Sequence, residues 1–133
     1  MKAIDASALL KFILREEGWR DVAEHLEEGT TSIDLVIKES INAVLRRTWR
    51  GQQSLEEAST MLDILRELYP KAIKVEDEDE YLEEATLIAS NQKITIYDAL
   101  YIALAKRRGI PLLTSDQRQA EAAEKEGVKT IKV

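Results

Sequence analysis

The sequence predicts an α/β fold, in which a parallel sheet carries helices on both of its faces. Short apolar runs of strand length alternate along the chain with longer stretches of helical periodicity. Strands that alternate with helices in this way run parallel, and such sheets are buried on both faces. Glycine and proline are scarce, at five and two of 133 residues, which favours helix-rich structure with short loops.

The first half of the chain is predicted to contain two strands and four helices. Ala3 and Ile4 form a short apolar run, and the two helical stretches after it end beside Gly18 and Gly29. Ser54 and Glu57 have the spacing of a capping box at the start of the fourth helix. The predicted elements are strand Lys2–Asp5, helices Ala6–Glu17 and Trp19–Glu28, strand Thr30–Ile33, and helices Asp34–Arg50 and Ser54–Leu68.

The second half is predicted to contain three strands and three helices. The acidic run from Glu76 to Glu80 suits a helix N-terminus, where negative charge is favourable. The basic run from Lys106 to Arg108 suits a helix C-terminus for the same reason. The predicted elements are strand Ile73–Val75, helices Asp79–Gln92 and Thr95–Arg108, strand Leu112–Thr114, helix Gln117–Glu126, and strand Lys129–Ile131.

Length and composition predict one domain over residues 1–133, with 44% apolar residues to form its core. There is no cysteine, which excludes disulfides and cysteine-ligated zinc. The only histidine, His25, is expected on a helix surface, so no histidine-based triad is expected. No apolar run reaches the ~18 residues of a membrane helix, and the start lacks a signal peptide. A cytoplasmic protein with no membrane partner is therefore expected.

Four acids that are far apart in the sequence are candidates for one shared site. Asp5 ends the first predicted strand and Asp116 follows the fourth. In sheets of this class, ligands bind at the carboxyl ends of the strands. Glu39 and Asp98 lie in largely apolar helical stretches, where an isolated carboxylate is costly to bury. Carboxylates gathered at one point repel each other unless a cation lies between them, and oxygen ligands suit Mg²⁺ or Mn²⁺. The four acids predict a metal-dependent enzyme, and in particular a nuclease.

Each acid also has an explanation that involves no shared site. Asp5 and Asp116 precede helices and are suited to cap them. Asp98 stands three residues after Thr95, the spacing of a capping box, and Glu39 alone would be a solvated helix residue. The joint placement of two acids at strand ends and two on mostly buried helices favours a shared site. The net charge of −6 argues against a general nucleic-acid coat protein, but clustered metal-binding acids contribute to that charge.

Four segments of the chain resemble the PIN domain, and specifically the small VapC-type toxin ribonucleases of prokaryotes. The segments are Ile4–Leu9, Glu39–Leu45, Tyr97–Ala105 and Leu113–Asp116. In order and spacing, the resemblance spans essentially the whole chain. It implies a three-layer α/β/α sandwich around a parallel sheet of about five strands. It also implies Mg²⁺- or Mn²⁺-dependent cleavage of single-stranded or looped RNA. The resemblance assigns metal binding and catalysis to the same four acids, Asp5, Glu39, Asp98 and Asp116.

The resemblance has implications for the neighbours and partners of these acids. Ser7 and Thr114 match hydroxyl positions near the site, and we expect them to help bind substrate. Some relatives carry a further acid shortly after the position of Asp116, whereas this chain has Gln117–Gln119 there, which argues against a second tightly held metal. The family also implies a homodimer and a small antitoxin protein as partner.

Two arginines are candidates for holding the RNA backbone. Arg46 and Arg50 lie seven and eleven residues beyond Glu39, so a 3.6-residue period returns both to its face of the helix. We expect them to bind phosphates that flank the scissile bond. The alternative is that basic residues near a helix C-terminus only offset its dipole.

Three other functions remain open on the sequence alone. A PIN nuclease that acts in RNA processing without a toxin role would carry the same residues. A receiver-type signalling domain also has an acidic Mg²⁺ pocket, but it requires a lysine after a late strand, and Ser115 and Asp116 stand there instead. A non-catalytic binding module would have no need of all four acids.

Overall fold

The computed structural model describes residues 1–133 and contains a five-stranded parallel sheet with seven α-helices. The strands are β1 (Lys2–Ile4), β2 (Thr30–Ile33), β3 (Ile73–Glu76), β4 (Leu112–Thr114) and β5 (Thr130–Lys132). The helices are α1 (Ala6–Ile13), α2 (Trp19–Glu28), α3 (Leu35–Trp49), α4 (Leu55–Leu68), α5 (Leu82–Gln92), α6 (Ile96–Arg108) and α7 (Gln117–Lys125). The predicted α/β/α architecture with its central parallel sheet is confirmed. None of the seven helices has the length and apolar character needed to span a bilayer.

The order of the strands determines where a site can form. They run β3-β2-β1-β4-β5, so the first strand of the chain lies in the middle of the sheet. All four neighbouring pairs are parallel. The chain builds outward from β1 to β2 and β3 on one side, and then crosses to β4 and β5 on the other. Such a reversal leaves a crevice at the carboxyl ends of β1 and β4, the usual ligand position in open α/β sheets.

Helix α6 is the most buried of the seven helices. Its residues Ala99–Ala105 are all buried, which explains why this segment is apolar on every side. It packs against β1, β2 and β4 of the sheet and against α5. Its N-terminus, which begins after the capping residue Thr95, therefore lies close to the carboxyl edge of the sheet.

Two helix boundaries differ from the predicted ones by more than one residue. Helix α1 ends at Ile13, four residues before the predicted Glu17, and Arg15 adopts the left-handed conformation with φ 54°. The Arg15 guanidinium stacks over the rings of Phe12 and Trp19, at 4.4 and 4.2 Å from their centroids. This cation–π stack stabilises the turn at Arg15. The turn itself contains no glycine or proline, so no local signal in the sequence indicates that the helix ends there.

The predicted helix Asp79–Gln92 begins instead with a 3₁₀ turn over Glu78–Tyr81, and α5 starts at Leu82. The Asp77 carboxylate accepts a hydrogen bond from the Asp79 N–H at 2.9 Å and caps this turn. The acidic run is therefore a helix-start signal, as predicted, but for a tighter helix.

Candidate active site

Asp5 lies directly after β1, with only 4% of the residue exposed. Its Oδ1 atom accepts hydrogen bonds from the Ser7 hydroxyl at 2.6 Å and from the Ala8 N–H at 3.0 Å. Its Oδ2 atom accepts one from the Thr114 hydroxyl at 2.5 Å. Burial raises the pKa of the Asp5 carboxyl to about 6, and the charge of Asp116 also raises it, although the three hydrogen bonds oppose the rise. Asp5 is thus a buried carboxylate that three hydrogen bonds hold in a single orientation.

The hydroxyls of Ser7 and Thr114 join the ends of β1 and β4. They lie 3.2 Å apart, and both donate to Asp5. Ser7 Oγ also accepts from the Ser115 N–H at 2.9 Å, and Thr114 Oγ1 accepts from the Asp116 N–H at 3.1 Å. Thr114 is fully buried. Both residues predicted to help bind substrate therefore contact Asp5, and their direct contact with a substrate stays a prediction.

Asp116 follows β4 and is exposed. Its Oδ1 atom accepts hydrogen bonds from the N–H groups of Arg118 at 2.8 Å and Gln119 at 3.2 Å, so it caps α7. Asp5 caps α1 through Ala8 in the same way. The capping explanation is correct for both acids, and it is compatible with a shared site because each cap leaves its carboxylate at the carboxyl edge of the sheet.

Asp98 lies half-buried in the first turn of α6, and its N–H donates to the Thr95 hydroxyl at 3.2 Å. Burial raises the pKa of the Asp98 carboxyl, and the charge of Asp116 raises it further. Thr95 and the positive charge of Arg118 oppose this rise. The backbone carbonyl of Asp98 accepts a hydrogen bond at 2.9 Å from the Gln119 amide, which ties α6 to α7.

Glu39 lies half-buried on α3, and its Oε1 atom accepts a hydrogen bond from the Tyr101 hydroxyl at 2.5 Å. Burial raises the pKa of the Glu39 carboxyl, Tyr101 opposes the rise, and the charge of Asp98 adds to it. Tyr101 is 2% exposed, and burial together with Glu39 raises the pKa of its hydroxyl. Tyr101 is therefore a neutral phenol that donates to the carboxylate.

The four acids are linked by electrostatic interactions between neighbouring pairs. The charge of Asp116 acts on Asp5 and Asp98, and that of Asp98 acts on Glu39. Tyr101 experiences the charges of Glu39, Asp5 and Asp98 together. No lysine or arginine forms an ion pair with any of the four. The structure thus brings these acids to one edge of the sheet and leaves their negative charge without a paired cation.

The donor set of this cluster suits a hard divalent cation. All four acids offer carboxylate oxygens, the ligands that Mg²⁺ and Mn²⁺ prefer. As the side chains stand, no three His, Cys, Asp or Glu residues surround a common cation position. Mg²⁺ keeps several waters and binds through one or two carboxylates, so it requires no closed cage of protein ligands. The residues therefore fit Mg²⁺ or Mn²⁺ in chemistry.

Two clefts border the acids. One, which we call the α3 groove, has a volume of about 640 Å³ between α3 and the start of α6. It is lined by Glu39 together with Leu35, Lys38, Ile41, Leu45, Arg46 and Tyr97. The other, the α6–α7 pocket, has a volume of about 140 Å³. It is lined by Lys93, Thr95, Asp98, Asp116, Arg118 and Gln119.

The two arginines predicted to hold RNA differ in their positions. Arg46 lines the α3 groove together with Glu39, as the helical period predicts. Arg50 caps the C-terminus of α3 and is exposed, but it is not among the residues that line the groove. The structure therefore brings Arg46 to the candidate site and leaves Arg50 beyond its border.

Tyr101 and Gln119 contact the candidate acids Glu39 and Asp98 but were not predicted from the sequence. Tyr101 stands three residues after Asp98 in an apolar helix, and a buried tyrosine hydroxyl usually has a partner. That pattern could have identified it. Gln119 is 3% exposed and shares the buried face of α7 with Ala122 and Ala123. Its contact with Asp98 joins two helices and leaves no local signal in the sequence.

Known proteins share this fold, and one of them is about one third identical in sequence. Residues 2–125 match the family model of the PIN domain. Ribonuclease VapC3 from Pyrobaculum aerophilum is 35% identical over 120 residues, which cover 89% of this chain and 91% of that protein. The crystal structure of PAE2754 from Pyrobaculum aerophilum is similar with a TM-score of 0.74 and 26% identity, and the match covers 97% of this chain and 89% of the other. FitAcB from Neisseria gonorrhoeae has the same fold, with a TM-score of 0.66 and 17% identity over 98% and 96% of the two chains.

Proposed function

Because this chain belongs to the PIN-domain family, we propose that it is a metal-dependent endoribonuclease of the VapC toxin type, which hydrolyses phosphodiester bonds of RNA. The observation that carries the proposal is the group of four carboxylates at one edge of the sheet, which no lysine or arginine neutralises through an ion pair. The similarity to a protein named as a ribonuclease supports RNA as the substrate. The same resemblance leads us to propose a homodimer, a small antitoxin partner and a cytoplasmic location.

We assign metal binding to Asp5, Glu39, Asp98 and Asp116. When bound there, Mg²⁺ or Mn²⁺ would supply Lewis-acid chemistry that lowers the pKa of an attacking water and offsets charge on the phosphate. Both oxygens of Asp5 accept hydrogen bonds within the chain, so its role is that of a fixed ligand. Glu39 and Asp98 are half-exposed and have raised pKa values, which suits a group that accepts the proton of the water.

The surrounding residues hold these acids and the RNA. Ser7 and Thr114 fix the orientation of Asp5, and by this route they contribute to the binding of substrate. Arg46 is assigned to a phosphate next to the scissile bond, because it lines the groove that contains Glu39. We assign Arg50 to RNA that extends past the end of the groove.

The proposal is tested by the substitution Asp98→Asn, which keeps the shape of the side chain and removes its charge. We expect RNA cleavage in Mg²⁺ buffer to fall on the order of 10²–10³-fold, the usual cost of losing one group that stabilises transition-state charge. Cleavage is measured on single-stranded RNA by gel electrophoresis, and circular dichroism checks that the fold is intact.

The matched control is Asp79→Asn, since Asp79 is an exposed acid on the 3₁₀ turn and lines neither cleft. It should cleave RNA like the wild type. Full activity of Asp98→Asn, or an equal loss in both variants, would contradict the proposal.

A further inference from the structure

The α6–α7 pocket carries a set of polar groups to which the proposed reaction assigns no role. Besides Asp98 and Asp116, it is lined by the cations Lys93 and Arg118, by Thr95, and by Gln119. It lies between the N-termini of two helices, α6 and α7. Three of the N-terminal N–H groups there, those of Asp98, Arg118 and Gln119, are already used by the caps Thr95 and Asp116. The side chains therefore decide what the pocket binds.

Gln119 is a buried residue that lines this pocket, and one of its polar atoms has no hydrogen-bond partner. Its Nε2 atom donates to the carbonyl of Asp98 at 2.9 Å, and its own N–H donates to Asp116 Oδ1 at 3.2 Å. The Oε1 atom of the same amide is buried and has no hydrogen-bond partner. Buried polar atoms in native proteins are nearly always satisfied, so this acceptor calls for a donor in the pocket, and a water that hydrates a bound anion would supply one.

The two cations of the pocket are both unpaired. Lys93 and Arg118 are exposed, and neither side chain forms an ion pair or a hydrogen bond within the chain. In contrast, the three cations at the other end of α6 are all paired with glutamates. Those cations are Lys106, Arg107 and Arg108. Lys93 and Arg118 are thus free to bind an anion from outside the chain.

Volume and charge together select the kind of anion. A volume of about 140 Å³ is roughly that of four or five waters, well below the ~300–1,000 Å³ of pockets that hold drug-sized ligands. The α3 groove, at about 640 Å³ and with both apolar and polar residues in its lining, is large enough for a base. In the pocket, two cations offset two acids. A small anionic group fits these conditions if it also approaches a metal ion bound by the acids. A phosphate is such a group.

We propose that the α6–α7 pocket binds, through Lys93 and Arg118, a phosphate of the RNA strand that neighbours the scissile phosphate. The two clefts meet at the start of α6, since Tyr97 lines the α3 groove and the next residue, Asp98, lines the pocket. The RNA strand then runs from the α3 groove, across the four acids, into the α6–α7 pocket. This assignment rests on the proposed ribonuclease function, and it adds the path that the RNA strand takes across the site.

The substitutions Arg118→Gln and Lys93→Asn test this inference. Asparagine tolerates the left-handed conformation of Lys93, at φ 55°, better than most residues, and glutamine preserves the length of the side chain in α7. The matched control is Lys125→Gln, which removes an exposed, unpaired cation from the other end of the same helix. Binding of a short fluorescein-labelled single-stranded RNA is measured by anisotropy over a range of salt concentrations. Ca²⁺ replaces Mg²⁺, and a gel confirms that the strand stays intact.

The expected result is weaker binding by both pocket variants, with the slope of log affinity against log salt reduced by about 0.7 for each lost phosphate contact. The control should keep the slope of the wild type. A strand with one phosphate replaced by an uncharged methylphosphonate provides a second measurement. At one position this strand should weaken wild-type binding, and Arg118→Gln should then weaken it no further.

The possible failures are distinguishable. If wild-type protein does not bind RNA in the presence of a divalent cation, the proposed function and this inference are both overturned. If the wild type binds RNA but both pocket variants keep its salt slope, only this inference is overturned. An equal loss in Lys125→Gln would show a general charge effect, and it would also overturn the pocket assignment.

Discussion

Among single residues, Tyr101 has the most central position in the candidate site. It is buried on α6, its hydroxyl donates to Glu39, and it experiences the charges of three of the four acids. Because its raised pKa keeps it protonated, it supplies a neutral donor where a second negative charge would be unfavourable. Tyr101 therefore fixes the position of Glu39 without adding charge to the cluster.

We expect Tyr101→Phe to lower the free energy of unfolding by about 1–2 kcal/mol, because the half-buried Glu39 carboxylate loses its donor. RNA cleavage should also fall, since Glu39 is no longer held in one orientation. Urea denaturation gives the change in stability, and a cleavage assay gives the change in activity.

Tyr97→Phe is the matched stability control, because Tyr97 is exposed and its hydroxyl makes no hydrogen bond within the chain. It should unfold like the wild type. Equal stability of Tyr101→Phe and the wild type would show that the short contact with Glu39 contributes nothing to folding.

The site was predictable from the sequence where a residue's role is local. Asp5 and Asp116 follow strands and cap helices, and both facts depend only on neighbouring residues. Asp98 could be identified because it is an acid in a helix that is otherwise largely apolar. In contrast, the roles of Tyr101 and Gln119 depend on partners in another element, and those become visible only when the helices are packed.

Among the elements, helices α5, α6 and α7 meet at one carboxylate. Glu126, which caps the C-terminus of α7, accepts hydrogen bonds from Gln92 of α5 at 2.6 Å and from Lys106 of α6 at 2.9 Å. These two hydrogen bonds hold the pKa of Glu126 below its usual value, and burial opposes them. The fold therefore favours the ionised form of this residue.

The stability that Glu126 contributes should depend on pH. A carboxylate whose pKa is lowered by folding stabilises the protein above its ordinary pKa of 4.5, and this contribution is lost as the pH falls through the folded-state value. We expect Glu126→Gln to lower the urea midpoint at neutral pH, and the difference from the wild type to shrink in acid. Glu24→Gln, at an exposed position in the middle of α2 with no hydrogen bond, should change the midpoint at neither pH. A difference that grew in acid would mean that the sign of the Glu126 shift is wrong.

The structure contains all twelve predicted helices and strands. The type of sequence signal explains which predicted boundaries were correct and which were wrong. Glycine marked the helix ends well at Gly29 and Gly109, but Gly18 did not mark the end of α1, which lies at Ile13. The early end of α1 depends on the stack of Arg15 with Trp19, which belongs to the next helix. A helix end that depends on packing against another element has no signal in the local sequence.

On the scale of the whole molecule, the net charge of −6 includes four acids gathered at one edge of the sheet. Their repulsion destabilises the folded state but is relieved in the unfolded chain, where they lie far apart. A cation that binds only the folded state should therefore stabilise this protein.

We expect Mg²⁺ or Mn²⁺ to raise the thermal unfolding temperature and EDTA to reverse the rise. At about 100 times its dissociation constant, a ligand of the folded state stabilises it by ~2.7 kcal/mol. Asp98→Asn should lose most of this response, and Asp79→Asn should keep it. The measurement is a thermal melt and requires no substrate, so it remains informative if the RNA target is unknown. An identical response in the two variants would place the bound cation elsewhere.

The direction of the strands also has a practical consequence for attaching anything to the protein. Because β1 and β5 are parallel members of one sheet, residue 1 emerges at the edge opposite the acids and residue 133 emerges at their edge. The Val133 N–H even donates to the carbonyl of Thr114, the residue whose hydroxyl holds Asp5. A tether, a tag or a fused domain joined after Val133 would emerge on the same side of the sheet as the clefts. The same addition joined before Met1 would leave the clefts facing open solution.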